Sequence, residues 1–171
     1  MPRKARNYKR HLADADHKYN SVKIGKFINY IMERGKKTVA TRLVYDAFEI
    51  IEKEMSREAG SGSAGKSDPK AVFEQAIRNV SPIVEVKGRR IGGANYQVPM
   101  EVQEPRKTAL GMKWIIDAAR GKKGRPMADK LAAELMEAYN KLGAAIKKRD
   151  DVHKMAEANK AFAHFARFQR R

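Results

Sequence analysis

The chain has 171 residues, no cysteine, and 37 Lys+Arg against 20 Asp+Glu, giving a net charge of +17. Without cysteine there are no disulfides, thiolate zinc sites or cysteine nucleophiles, and no apolar run approaches the ~20 residues of a membrane span or forms the core of a secretory signal. At 42% hydrophobic it can bury the core of one domain, whereas solubility alone asks for a net charge of only about 2–8; the expectation is a soluble, intracellular chain with a polyanionic partner.

In chain order, residues 1–19 carry Arg3, Lys4, Arg6, Lys9 and Arg10 before any acidic residue and show no apolar period, which predicts a basic arm that orders on its partner. Ile24, Phe27, Ile28, Ile31 and Met32 share one face of a first helix that stops at Gly35. A second helix carries Ala40, Leu43, Val44, Ala47 and Ile51 behind Thr38 as cap. Residues 56–67, rich in Gly and Ser, read as a flexible linker. Asp68-Pro69 opens a third helix as cap and first-turn proline, with Val72, Phe73, Ala76, Ile77 and Val80 inward.

Residues 83–102 alternate with period two around Gly92-Gly93-Ala94-Asn95, predicting a hairpin. Val84 and Val86 point one way and Glu85, Lys87 and Arg89 the other; Tyr96, Val98, Met100 and Val102 are expected to resume the apolar face. A lone two-stranded ribbon is marginal in water, so one bearing Lys87, Arg89 and Arg90 is expected to touch a partner. Pro105 then opens a fourth helix that Gly121 ends. A fifth runs from Met127 through Leu131, Leu135 and Tyr139 to Ile146. A sixth starts near Asp150-Asp151 and carries Val152, Met155, Asn159, Phe162 and Phe165. The predicted fold is mainly α: a single-domain six-helix bundle with one protruding two-stranded antiparallel β-ribbon, bounded by the arm 1–19, a helical domain 20–165 and a basic tail 166–171.

Gly60-Ser61-Gly62-Ser63-Ala64-Gly65-Lys66-Ser67 matches the phosphate-cradling GxxxxGK[ST] pattern. A working loop of that kind leaves a buried strand, whereas here Glu52 to Glu58 read as the charged end of a helix, so the match is a linker. His11, His17, His153 and His164 make no ligand set at metal spacing and read as surface or capping residues, with His153–Glu157 a local pair. No enzyme is expected, and no cofactor. Phe162, Phe165 and Phe168 read mainly as packing residues, with a minor share for base stacking at Phe168. The cationic clusters weigh as a set: the arm, Lys36-Lys37, the ribbon, Arg106-Lys107, Lys122-Lys123-Arg125, Lys147-Lys148-Arg149 and the C-terminal arginines. Together they fit nucleic acid, either structured RNA or, as an alternative, DNA gripped by an architectural protein through a basic ribbon.

Four stretches resemble one family. They are Asn20…Phe27-Ile28 through Gly35-Lys36-Lys37 to Leu43-Val44 and Ala47; Val84-Glu85-Val86-Lys87 through Arg89-Arg90-Ile91-Gly92-Gly93 to Tyr96-Gln97-Val98-Pro99; Trp114-Ile115-Ile116-Asp117-Ala118-Ala119-Arg120; and Lys148-Arg149-Asp150-Asp151-Val152-His153 through Ala163-His164. In order and over nearly the whole chain, they are similar to the bacterial-type small-subunit ribosomal protein seven. The resemblance implies a structural constituent of the small ribosomal subunit, in the cytoplasm or an organelle matrix, whose helical domain binds the 3′ major domain of 16S-type rRNA and nucleates head assembly. By position it implies rRNA contacts at Arg3, Lys4, Arg6, Lys9, Arg10, Lys36, Lys37, Lys87, Arg89, Arg90, Arg106, Lys107 and Lys113. Gly92, Gly93, Lys148 and Arg149 would lie toward exit-site tRNA and mRNA. Neighbouring proteins of the head and platform are the other implied partners; no membrane and no small-molecule substrate is implied. The 56–67 linker is longer than the family's usual connection, and the 166–171 tail departs from its commonest ending.

Overall fold

The computed structural model describes residues 13–58 and 68–169. Among them, six α-helices, one two-stranded sheet and a closing 3₁₀ segment follow in the order α1 (Val22–Ile31), α2 (Lys37–Glu58), α3 (Pro69–Val80), β1 (Val84–Ile91), β2 (Ala94–Glu101), α4 (Arg106–Gly121), α5 (Met127–Tyr139), α6 (Ala144–Ala158) and 3₁₀ (Lys160–Gln169). The apolar stripes legible in the sequence form one core. Ile24, Phe27, Ile28 and Ile31 of α1 meet Val44, Phe48 and Ile51 of α2, Phe73 and Ile77 of α3, Ile115 of α4 and Leu131 and Leu135 of α5. Phe73 packs edge-on to Phe27, with centroids 5.0 Å apart, and tilts against Phe48 at 5.6 Å. Such pairs add about 0.5–1.5 kcal/mol beyond the area they bury.

Local chemistry explains most boundaries. Asp68 caps α3 by accepting from Lys70 N–H at 2.9 Å, with Pro69 in the first turn. Where a side chain at Gly111 would meet Ser81 Oγ at 2.8 Å, its absence lets α4 close on the end of α3. Asp16 pins the segment before α1, accepting from the N–H groups of Lys18 and Tyr19, both at 3.1 Å, and from Tyr45 Oη at 2.8 Å.

Several expectations need correction. Helix α1 ends at Ile31, and Gly35 turns the following loop with φ +75. Helix α2 already starts at Lys37, so Thr38 is helical rather than its cap. Residues 56–58 are the last turn of α2; the rest of the expected linker, including the GxxxxGK[ST] match, lies outside the described residues. What precedes that match is helix, as its charged composition indicated. Helix α5 stops at Tyr139 rather than Ile146, because Lys141 (φ +61) and Gly143 (φ +93) take left-handed conformations that no helix continues through. Ile146 therefore belongs to α6, which begins six residues earlier than expected and ends before Asn159, Phe162 and Phe165.

A further correction concerns the ribbon. β1 pairs antiparallel with β2, Glu85 opposite Met100, Lys87 opposite Val98 and Arg89 opposite Tyr96. Directly opposed residues share a face, so Tyr96, Val98 and Met100 lie with Glu85, Lys87 and Arg89, not with Val84 and Val86. The cause is arithmetic. An even number of turn residues pairs odd positions with even ones, so the apolar set of β2 returns on the charged side of β1.

A candidate nucleic-acid interface

The ribbon turns through Gly92 (φ +56) and Gly93 (φ +90), the two left-handed positions that a tight hairpin matching the strand twist requires. One of its faces is covered. Val98 is fully buried there, and Tyr96 packs at a tilt against Phe162 and Phe165 of the 3₁₀ segment with centroids 5.2 and 5.4 Å away. Arg89 is half-buried on this side, its Nη2 3.2 Å from Met100 Sδ. At the base, Ile83 N–H donates to His153 Nε2 of α6 at 3.1 Å, so His153 anchors the ribbon rather than pairing with Glu157.

Glu85 closes the covered face. Its carboxylate is buried and accepts from Arg106 Nε at 2.9 Å to both oxygens, with Arg106 Nη2 and Lys87 Nζ each at 2.8 Å. Burial alone would raise its pKa; hydrogen bonds from Arg106 and Lys87, reinforced by their charges, outweigh this and hold it below the usual carboxylate range. Glu85 in turn pushes the Arg106 guanidinium up. The trio ties the ribbon to the start of α4 and presents one net positive charge.

Around that tie, α1 and α4 form a groove of about 840 Å³ to which Lys23, Lys26 and Tyr30 contribute from one side and Arg106, Ala109 and Met112 from the other. An adjoining cleft of about 430 Å³ sets Lys107 among Lys23, Arg78 and Glu104. Lys113, seven residues after Arg106, shares its helix face and is exposed. Sequence reasoning missed Lys23, Lys26 and Arg78, which are single cations rather than runs. For Lys23 and Lys26 the signal was the polar face of α1, where they and Tyr30 recur at helical spacing opposite the apolar stripe; Arg78, on α3, had none.

Other expected residues stand apart. Lys36 and Lys37 are exposed at the α1–α2 junction, Lys36 lining a second groove with Arg34 and with Arg120, whose guanidinium pairs with Glu33 at 2.8 Å. Lys148 is exposed on α6, whereas the Arg149 guanidinium braces α3, donating to the Asn79 carbonyl and to its neighbour Asp150. Among the described residues no hydrogen bond or ion pair joins either one to the Gly92-Gly93 turn. Arg3, Lys4, Arg6, Lys9 and Arg10 lie outside the described residues.

Among the described residues no cluster of three or more His, Asp or Glu is placed to hold a metal, and no helix is long and apolar enough to cross a membrane. A strongly basic helical body that presents an anchored ribbon beside a cation-rimmed groove is the build of a nucleic-acid-binding protein. Comparison makes this specific. The family model described as ribosomal protein S7p/S5e matches residues 2–160. Three bacterial proteins, each named small ribosomal subunit protein uS7, are similar throughout. That of Thermotoga neapolitana is 56% identical over 147 residues, 86% of this chain and 88% of the relative. That of Moorella thermoacetica is 52% identical over 165 residues, 96% and 99% of the two chains. That of Roseiflexus castenholzii is 46% identical over 168 residues, 98% and 100%. The chain belongs to the ribosomal protein S7p/S5e family, a family of structural proteins and not of enzymes.

Proposed function

We propose that this protein binds the 3′ major domain of small-subunit rRNA, nucleates assembly of the subunit head, and lies near exit-site tRNA and the mRNA path, with head and platform proteins as neighbours. The observation that carries this reading is the family match across residues 2–160. The uS7 name of the relatives supports the small subunit, and with it a place in the cytoplasmic ribosome. The mechanism is electrostatic and geometric: Lys107, Lys113, Lys36, Lys37 and the N-terminal arginines neutralise phosphates, while the ribbon lies along a groove.

The test is binding to an rRNA fragment carrying the 3′ major domain, against unrelated structured RNA of equal length and duplex DNA, across a salt series. Preference for the fragment that persists at high salt is expected, and Arg90→Ala is expected to reduce the salt slope by about one. Equal binding to all three, collapsing together as salt rises, overturns the reading in favour of a general basic protein.

A further inference from the structure

The register divides the three ribbon cations. Lys87 and Arg89 lie on the face that Glu85, Met100 and the 3₁₀ segment occupy; Arg90 lies on the other. On that other face Gly88 stands opposite Gln97, and Arg90 opposite Asn95. All four residues are exposed. The side chains of Arg90, Asn95 and Gln97 have no hydrogen bond or ion pair among the described residues, in contrast to Lys87, Arg106 and Arg149, which are each held by a carboxylate.

Gly88 is the informative member. A glycine inside a strand weakens it and commonly marks a place where another backbone comes close. Gly88 is not among the glycines with left-handed φ, so the strand itself does not require it. A Cβ built there meets nothing nearer than Gln97 Nε2 at 4.0 Å. The missing side chain therefore leaves a shallow dent bordered by an amide on one side and, one pair further along, by a guanidinium and a second amide.

We propose that this free face, made of Gly88, Arg90, Asn95 and Gln97, is the surface that distinguishes cognate rRNA from other RNA. The proposal rests on the rRNA reading above and deepens it. Phosphate contacts position a protein but carry no sequence information directly. Arg90 supplies such a contact. Asn95 and Gln97 each offer a carbonyl acceptor and an NH₂ donor, and the wide, shallow minor groove of A-form RNA displays 2′-hydroxyls and base edges that use both. Gly88 lets the sugar–phosphate chain approach the β1 backbone closely enough for the short amides to reach.

Gly88→Val and Gln97→Ala test this with the full-length chain, each measured on the 3′-major-domain fragment and on the unrelated structured RNA. Valine suits an extended backbone, so Gly88→Val is expected to keep the wild-type melting temperature while filling the dent. Each variant is expected to lose about tenfold of the preference for the cognate fragment, the scale of one good directional contact, with affinity for the unrelated RNA unchanged. Lys107→Ala is expected instead to weaken binding to both RNAs alike. If Gly88→Val fails to fold, Gln97→Ala decides alone. Wild-type preference in the folded variants overturns the proposal while leaving the rRNA reading intact. No preference in the wild-type protein itself overturns that reading, and this one with it.

Discussion

Glu85 shows how one residue can change what its neighbours are for. Lys87 and Arg106 stand out in the sequence as phosphate ligands, yet both spend their charge on a carboxylate that the fold has taken out of water. The folded-state pKa of Glu85 lies below the ordinary 4.5, so folding favours its ionised form. That contribution is complete above about pH 4.5 and is lost as the pH falls through the lower, folded value. Glu85→Gln keeps the shape but not the charge. Because both cations are about half exposed and keep water as an alternative partner, the expected loss is only about 1–2 kcal/mol at pH 7. Urea midpoints of the two proteins should converge below pH 4.5; a gap that stays constant into acid would show that Glu85 contributes by packing alone.

Two elements owe their positions to contacts that bridge long stretches of sequence. The 3₁₀ segment clasps the ribbon through Tyr96, Phe162 and Phe165. Tyr96→Ala is therefore expected to speed amide hydrogen exchange over residues 160–166 while the α1–α5 core keeps its protection, since that core lacks contact with the cluster. The turn between α5 and α6 is fastened by Glu134, fully buried, whose Oε1 accepts from Ala145 N–H at 2.9 Å while Oε2 lies 2.9 Å from Lys122 Nζ. Burial alone would lower the Lys122 pKa, but the hydrogen bond to Glu137 and the ion pair with Glu134 outweigh this and raise it. Removing the carboxylate leaves the buried Ala145 N–H without its acceptor while Lys122 keeps Glu137, so Glu134→Ala is expected to cost about 1–3 kcal/mol, read from a denaturant midpoint. Neither fastening was legible in the chain. The helices were, because Ile24, Phe27 and Ile31 or Val72, Ala76 and Val80 repeat at a spacing that needs no partner to interpret. The α5–α6 break was hidden because Leu142 and Ile146 continue the apolar period straight through Gly143. The cations of the candidate site were visible as letters. Which were free and which were held by Glu85 or by the Asn79 carbonyl depended on strand register and on helix contacts some twenty to seventy residues away in sequence.

For the whole molecule, charge is unevenly employed. Seven cationic clusters are evident in sequence, but Arg149, Arg106 and Lys87 are partly committed to internal carboxylates. If eight side chains engage phosphates, the slope of log K against log salt should be about −6 to −7. A slope near −2 would mean that most of the charge faces solvent in the complex. The anchored ribbon carries a kinetic consequence as well. Ile83 is tied to His153, Glu85 to Arg106, and Tyr96 to the closing segment, so the ribbon is set at its angle before any RNA arrives. Encounter then requires alignment rather than folding of this part. Its association should be governed by diffusion and electrostatic steering, with a rate that falls as salt rises, and any slow phase in complex formation should come from the RNA or from ordering of the arm expected at residues 1–19 rather than from the ribbon.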